Sequence, residues 1–132
     1  MEIIRLRIDG EPPTKGRPRF ASGRVYTPKT TKEAEDAIGW EIKARYPALE
    51  PDGDGLYRIE AYFSQSSYQR RDLDNMVKLV SDACNGLVWV DDAQVVELSA
   101  RLARGRPEGF TELVIVRVSE TDESIPTRAC MR

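Results

Sequence analysis

Residues 71–92 read R-D-L-D-N-M-V-K-L-V-S-D-A-C-N-G-L-V-W-V-D-D, and this stretch decides how the middle of the chain folds. Apolar residues recur in it at spacings of three and four, the period of a helix with one buried side. These residues are Leu73, Met76, Val77, Val80, Ala83, Cys84 and Leu87. We therefore predict a helix that begins near Asp72 or Asp74 and ends at Asn85-Gly86, a typical C-terminal stop.

Four aspartates lie at the two ends of this segment. Asp72 and Asp74 stand at the predicted helix start, and Asp91 and Asp92 follow the helix after a short return. Asp74 and Lys78 are four residues apart, so they project from one face of the helix. Carboxylate oxygens bind Mg²⁺ or Mn²⁺, and such a cation can stabilise phosphoryl oxygens and activate a water. The pattern favours a metal-dependent site that cuts phosphodiester bonds.

Each of these residues also has an ordinary structural interpretation. Asp72 and Asp74 could cap the helix and complement its dipole. Asp91-Asp92 could form a turn, and Lys78 could be a solvated helix residue. A calcium-binding loop is excluded, because the acids do not follow its spacing. The acids indicate chemistry only jointly, together with a basic loop upstream.

The flanking sequence predicts one further helix and several strands. Alternating apolar and polar residues predict strands around residues 4–8, 56–63, 96–102 and 111–118, a ragged hairpin spans 19–26, and a helix runs from Thr30 or Thr31 to about Tyr46. This order predicts an α+β fold with a mixed, mostly antiparallel sheet, antiparallel hairpins and two main helices.

Length and composition indicate an ordinary globular protein of 132 residues, 40% of them hydrophobic and 32% charged. We expect a single domain over residues 1–118 and a polar, flexible tail over 119–132. No apolar run is long enough to span a membrane, and the N-terminus does not resemble a signal peptide, so we expect a cytoplasmic protein. The chain has no histidine, which excludes histidine general bases and histidine-ligated zinc.

The net charge of −2 conceals a local concentration of cations. Residues 14–32 contain six basic residues and no acid, and a smaller basic run lies at 101–106. Concentrated cations can neutralise DNA phosphates whatever the total charge of the chain. The residues that we expect to bind DNA are Lys15, Arg17, Arg19, Arg24, Arg70 and Arg71.

At these positions the chain resembles the RusA family of Holliday junction resolvases, which occurs widely in phages and prophages. The features that carry the resemblance are D-L-D-N at 72–75, Lys78, N-G-L-V-W-V-D-D-A-Q-V at 85–95 and P-P-T-K-G-R-P-R-F at 12–20. The order and spacing of these motifs match over roughly residues 1–118.

The resemblance implies a homodimeric, Mg²⁺-dependent endonuclease, with Mn²⁺ as a possible substitute, that makes paired nicks across a four-way DNA junction. It places the essential acids at Asp72, Asp74 and Asp92 and the functional lysine at Lys78, with Asp91 as a further metal ligand. It implies no organic cofactor and no membrane partner. Two alternatives stay open: a less selective metal nuclease acting on flaps or single strands, and a non-catalytic protein that only binds junctions.

Overall fold

Segments of alternating apolar and polar residues form strands, and segments of helical period form helices. The computed structural model describes residues 2–13, 19–21, 24–26 and 29–119. Its strands are β1 (Glu2–Asp9), β2 (Arg19–Ala21), β3 (Arg24–Tyr26), β4 (Leu56–Ser64), β5 (Val95–Ala103) and β6 (Phe110–Val118). Its helices are α1 (Lys29–Arg45) and α2 (Leu73–Cys84), and a short 3-10 turn covers Asp92–Gln94. The predicted tail beyond residue 119 lies outside the described residues.

The main sheet has four strands in the order β1-β6-β4-β5. β6 runs antiparallel to both β1 and β4. β4 and β5 are parallel, because α2 returns the chain between them. β2 and β3 form a separate antiparallel pair, with Arg19 opposite Tyr26. The predicted α+β class, with a mixed and mostly antiparallel sheet, is confirmed.

The expected antiparallel hairpins occur only in part. β2 and β3 pair as consecutive strands, whereas the consecutive strands β5 and β6 do not touch as neighbours in the sheet. β4 lies between them and pairs with β6 along its whole length, from Leu56 opposite Val118 to Ser64 opposite Phe110. As a result β5 lies at one edge of the sheet.

The core lies between one face of the sheet and the two helices. Every second residue of β4 is buried, from Tyr57 to Phe63. Ile42 of α1 and Leu79 of α2 are fully buried against this face. Burial of each such side chain contributes roughly 1.5–3 kcal/mol. None of the helices in the described part of the chain is long and apolar enough to cross a membrane.

The helices cover the sheet unevenly. Leu98 of β5 pairs with the buried Ile59 of β4, so both side chains point to the helix-covered face. Nevertheless Val96 and Leu98 are each 53% exposed. Alternation along β5 predicts the strand, which is confirmed, but α2 leaves part of its apolar face open at the edge of the sheet. An exposed apolar strip therefore lies beside α2.

Candidate active site

Helix α2 carries a row of polar side chains opposite its buried stripe. Asp74 and Lys78 are exposed, as the predicted spacing requires, and Asp82 continues the row one turn further. The buried residues of the helix are Met76, Val77, Leu79, Val80, Ala83 and Cys84. Burial raises the pKa of the Cys84 thiol to about 12, so this cysteine is a packing residue. Any chemistry on α2 rests on its carboxylates and its lysine.

A tight return joins the end of α2 to the second acidic pair. Gly86 adopts a φ of +79°, which favours glycine, and its N–H donates to the carbonyl of Trp89 at 2.8 Å. The Trp89 ring is fully buried, and its Nε1–H donates to Asn85 Oδ1 at 2.9 Å. This anchor fixes the chain immediately before Asp91 and Asp92.

Gln94 then holds the acidic pair from the other side. Its side-chain oxygen accepts the backbone N–H groups of Val90 and Asp91. Its side-chain nitrogen donates to the carbonyl oxygens of Asp52 and Gly55, at 2.7 and 2.9 Å. The turn that carries the acids is therefore attached to the segment that precedes β4.

Asp74, Lys78 and Asp92 line one open groove of about 440 Å³ between α2 and β5. The groove is completed by Val77, Ser81 and residues 95–98, which include the exposed Val96 and Leu98. Two predicted residues are not among its lining. Asp72 stands at the N-cap of α2, where Asn75 Nδ2 donates to its carboxylate at 3.3 Å. Asp91 is exposed beside the groove.

Negative charge is concentrated at Asp92. A hydrogen bond with the Asp91 side chain raises the pKa of Asp92, with further contributions from burial and from the charges of Asp91 and Asp82. Lys78 acts in the opposite direction and lowers this pKa. Like charges that crowd together in this way are stabilised by a bound cation or by a neighbouring ammonium group.

The donor chemistry of these residues fits Mg²⁺. Carboxylate oxygens are its preferred protein ligands, and it is commonly held by one or two carboxylates, with waters and substrate phosphates completing the coordination. Over the described residues, no group of three or more aspartate, glutamate, histidine or cysteine side chains could by itself enclose a metal ion. The predicted acids therefore do not form a closed ligand set in this chain. The groove between Asp74 and Asp92 leaves room for phosphate oxygens.

The predicted DNA-binding residues fall into three groups. Lys15 and Arg17 lie outside the described residues, and the backbone at Arg19 and Arg24 belongs to β2 and β3. Arg70 is exposed immediately before α2. Arg71 is half-buried, and its guanidinium donates to the carbonyl oxygen of Pro12. Arg71 therefore has a role in the fold as well as a position close to the acids.

Two residues of this region have no role in the predictions from sequence. Asp82 was detectable, since it follows Lys78 by four residues and Asp74 by eight on the same helix. Gln94 is part of the D-D-A-Q motif, and an aspartate followed three residues later by glutamine is a recognisable capping pattern. No pattern in the neighbouring sequence predicts the contacts of Gln94 with Asp52 and Gly55.

Two comparisons with known proteins bear on this site. The family model described as "Endodeoxyribonuclease RusA" matches residues 9–115. The match includes α2 and the Asp91-Asp92 pair. A curated protein of Bacillus subtilis (strain 168), described as "Uncharacterized protein YqaN", is 28% identical over 121 residues, covering 74% of this chain and 85% of the relative.

Proposed function

This chain belongs to the endodeoxyribonuclease RusA family, and we propose that it resolves four-way DNA junctions by paired, Mg²⁺-dependent hydrolysis of phosphodiester bonds. Each cut adds water across one phosphorus–oxygen bond and leaves a phosphate on one side of the nick and a hydroxyl on the other. The substrate is branched DNA, and the acting species is a homodimer that cuts two strands.

The observation that carries this proposal is the groove between α2 and β5. Asp74, Lys78 and Asp92 come from two separate elements and line the same open space. Two carboxylates and one ammonium group beside each other suit a phosphodiester, whose negative charge increases as the bond breaks. An open groove also suits a polymer better than a small molecule, which usually enters a more enclosed pocket.

The acids supply the metal ligands in this proposal. Asp74 and Asp92, which line the groove, would hold Mg²⁺, and Asp72 and Asp91, which lie outside its lining, would offer further carboxylate oxygens. When bound, the ion supplies charge stabilisation and a more acidic water. Mn²⁺ accepts the same oxygen ligands and is expected to substitute.

Lys78 complements the acids. It lies one helical turn from Asp74 and is close enough to lower the pKa of Asp92. Its ammonium group can donate hydrogen bonds to the phosphate oxygens and offset their charge during the reaction. Lys78 also reduces the repulsion between the aspartates and the incoming phosphate backbone.

The open edge of β5 supports the proposed homodimer. An edge strand offers unpaired backbone groups, and exposed apolar side chains beside it favour association. Val96 and Leu98, which also line one wall of the groove, supply such side chains. A two-fold dimer would carry two identical grooves, which matches the two symmetric cuts needed to resolve a junction.

Cleavage of a mobile four-way junction in Mg²⁺ tests the function. A linear duplex of the same sequence and a flapped duplex serve as alternative substrates, and EDTA removes the metal. We expect symmetric nicked duplexes from the junction alone, and no product in EDTA. Asp74→Asn should reduce cleavage by more than about a hundredfold, since even outer-shell changes at metal sites cost about 10–100-fold. Its junction binding should persist.

Asp36→Asn is a matched control, because Asp36 is also an exposed helical aspartate but lies on α1. This variant should cut like the parent. Equal cutting of all three substrates would replace junction resolution with general nuclease activity. Junction binding without cutting, in Mg²⁺ and in Mn²⁺, would indicate a non-catalytic binding protein.

A further inference from the structure

An exposed tyrosine lies on the loop that leads into α2. Tyr68 is 80% exposed, although the largest apolar side chains of the described chain are mostly in the core. The hydroxyl end of its ring, with Cζ, Oη and Cε1, lies against Gly105, where an added Cβ would overlap it. Gly105 has a φ of +68°, which also favours glycine. The hydroxyl end of the ring thus rests on backbone, while most of the side chain is open to solvent.

Hydrogen bonds hold this loop firmly against the segment that follows β5. Gln65 N–H donates to the carbonyl of Ala103 at 2.8 Å, Gly105 N–H to that of Ser67 at 3.1 Å, and Arg106 N–H to that of Gln65 at 2.9 Å.

Side chains add to this attachment. The fully buried Gln65 donates from its Nε2 to the carbonyls of Ser67 and Gln69, at 3.0 and 2.8 Å. The Glu11 carboxylate accepts hydrogen bonds from the Ser66 N–H and hydroxyl, at 2.9 and 2.8 Å. Tyr68 is therefore placed on a braced loop, which lowers the entropy lost when a ligand stacks on its ring.

Arginines are concentrated in the two segments that meet at the tyrosine, where one carboxylate, that of Glu11, also contacts the loop at Ser66. Residues 65–71 and 103–106 together contain four arginines and no acid: Arg70, Arg71, Arg104 and Arg106. Arg70, Arg104 and Arg106 are exposed. Arg104 also donates from its Nε to the carbonyl of Gln69 at 3.2 Å, which fixes its position beside the loop. An aromatic ring among cations is the combination that binds nucleic-acid strands, through base stacking and phosphate contacts.

The ring is also close in the chain to Asp72, the predicted metal ligand at the N-cap of α2. Tyr68 stands four positions before Asp72, so their Cα atoms are at most about 14 Å apart. That span corresponds to about four nucleotides, at 3.4 Å of rise per strand. We propose that Tyr68 is a stacking platform for a nucleobase at the DNA branch point, held beside the scissile strand by the surrounding arginines.

This subsite would contribute to structure selectivity and rests on the proposed function. Bases inside a continuous duplex already stack on both sides and have no free face for Tyr68. The bases at a branch point can expose one face without a large unstacking cost. The platform therefore favours a junction over a linear duplex of the same sequence.

Binding of a four-way junction to the full chain tests the platform. The parent for this test carries Asp74→Asn, so that the DNA stays intact, and one junction arm carries 2-aminopurine beside the crossover. Stacking should change the fluorescence of this base when the parent protein binds. Tyr68→Ala should abolish the change and weaken junction binding roughly five- to a hundredfold. Tyr68→Phe, which keeps the ring, should behave like the parent.

Control variants distinguish stacking on Tyr68 from a general effect of losing an exposed ring. Trp40 is 75% exposed on α1, so Trp40→Ala removes an exposed aromatic ring elsewhere and should leave binding unchanged. If Tyr68→Ala does not fold, Tyr68→Leu gives the same test with an apolar but non-aromatic side chain. If Tyr68→Ala or Tyr68→Leu gave the same fluorescence change and the same affinity as the parent, the platform would be overturned, while junction cleavage by the wild type would stand. Failure of the wild type to bind junctions would overturn both proposals.

Discussion

Asp91 donates its backbone N–H to the side-chain oxygen of Gln94 across 3.1 Å, so one glutamine orients the start of the second acidic pair. The same side chain reaches the carbonyl of Asp52, 42 residues earlier in the chain. The position of Asp92 in the groove thus depends on a residue that needs no contact with DNA or metal. Gln94 acts on the site through the backbone.

Gln94→Ala should reduce junction cleavage much more than junction binding. The substitution removes the acceptor for Val90 and Asp91 and the donor for Asp52 and Gly55. Partly buried groups that lose their partners cost about 1–3 kcal/mol, so a lower unfolding midpoint is also expected. Single-turnover cleavage and junction affinity, measured on the same preparation, separate the two effects.

Two further variants show whether geometry explains the result. Gln94→Glu keeps an acceptor for the N–H of Asp91 but places a carboxylate against the carbonyl of Asp52, so it should not restore cleavage. Glu50→Ala changes an exposed residue of the same connecting segment and should have no effect. Equal losses of binding and cleavage in Gln94→Ala would contradict a positioning role.

The exposed arginines around Tyr68 should determine part of the salt dependence of DNA binding. The double variant Arg70→Ala, Arg106→Ala should weaken binding to junction and duplex alike. Each lost phosphate contact lowers the slope of log affinity against log salt by roughly 0.9, so the slope should fall by about 2. Titrations at several salt concentrations measure it. Lys43→Ala with Arg45→Ala removes equal charge from the last turn of α1 and should leave the slope unchanged.

Local features of the sequence predict most of the fold. The stripe from Leu73 to Leu87 and the Asn85-Gly86 stop lie within one segment, so they identify α2 and its end. Alternation identifies the strands for the same reason. Strand order is different, because it depends on pairing between distant segments. Nothing near β5 indicates that β4, and not β6, is its partner.

The candidate site is also only partly predictable from local sequence. Asp74 and Lys78 share a helix face, so their spacing predicts that they lie together. Asp92 reaches the same groove because the chain returns tightly through Trp89, as the short connection suggests. Asp72 and Asp91 lie outside the groove lining because of the distances between separate helices and turns. Periodicity within one segment of sequence does not predict those distances.

Asp52, whose carbonyl accepts a hydrogen bond from Gln94, should stabilise the fold in a pH-dependent way through its carboxylate. The Tyr57 hydroxyl donates to Asp52 at 2.6 Å, and this bond, followed by that from the Asp54 N–H, lowers the pKa of Asp52 from 3.8 to about 2. The folded protein therefore favours the charged form of Asp52, which stabilises the fold above a pH of about 4. This contribution disappears as the pH falls towards about 2. Tyr57→Phe should be less stable than the wild type near neutral pH, with the difference shrinking over that acid range.

Urea unfolding at a series of pH values measures this effect. Tyr62→Phe is the control, because the Tyr62 ring packs on Phe110 at a centroid distance of 5.8 Å on the other face of the sheet. Its effect should be independent of pH in the acid range. A Tyr57→Phe difference that stayed constant from neutral pH to about 2 would show that Asp52 and Tyr57 are not coupled in this way.

Leu98→Asp should convert the proposed homodimer into monomers. Leu98 is 53% exposed on the edge strand, and a charge placed in an apolar interface must be desolvated without a partner. The same change should cost little stability in a monomer, since the side chain is already half in solvent. Light scattering should therefore give half the mass of the wild type, with an almost unchanged unfolding midpoint. Trp40→Asp, at an exposed position on α1, should remain dimeric.

Cleavage by the monomeric variant shows whether paired cutting needs the dimer. Leu98 also lines the groove, so Leu98→Asp adds a carboxylate to the lining while Asp74, Lys78 and Asp92 remain. The monomer should therefore still nick a junction once, at a reduced rate, but should not make the second, symmetric cut. Plasmids that carry an extruded cruciform report this directly, because two cuts within one binding event linearise the plasmid and a single cut only relaxes it. Leu98→Asp should relax the plasmid. Linear product from a proven monomer would show that paired cutting does not need the β5 edge.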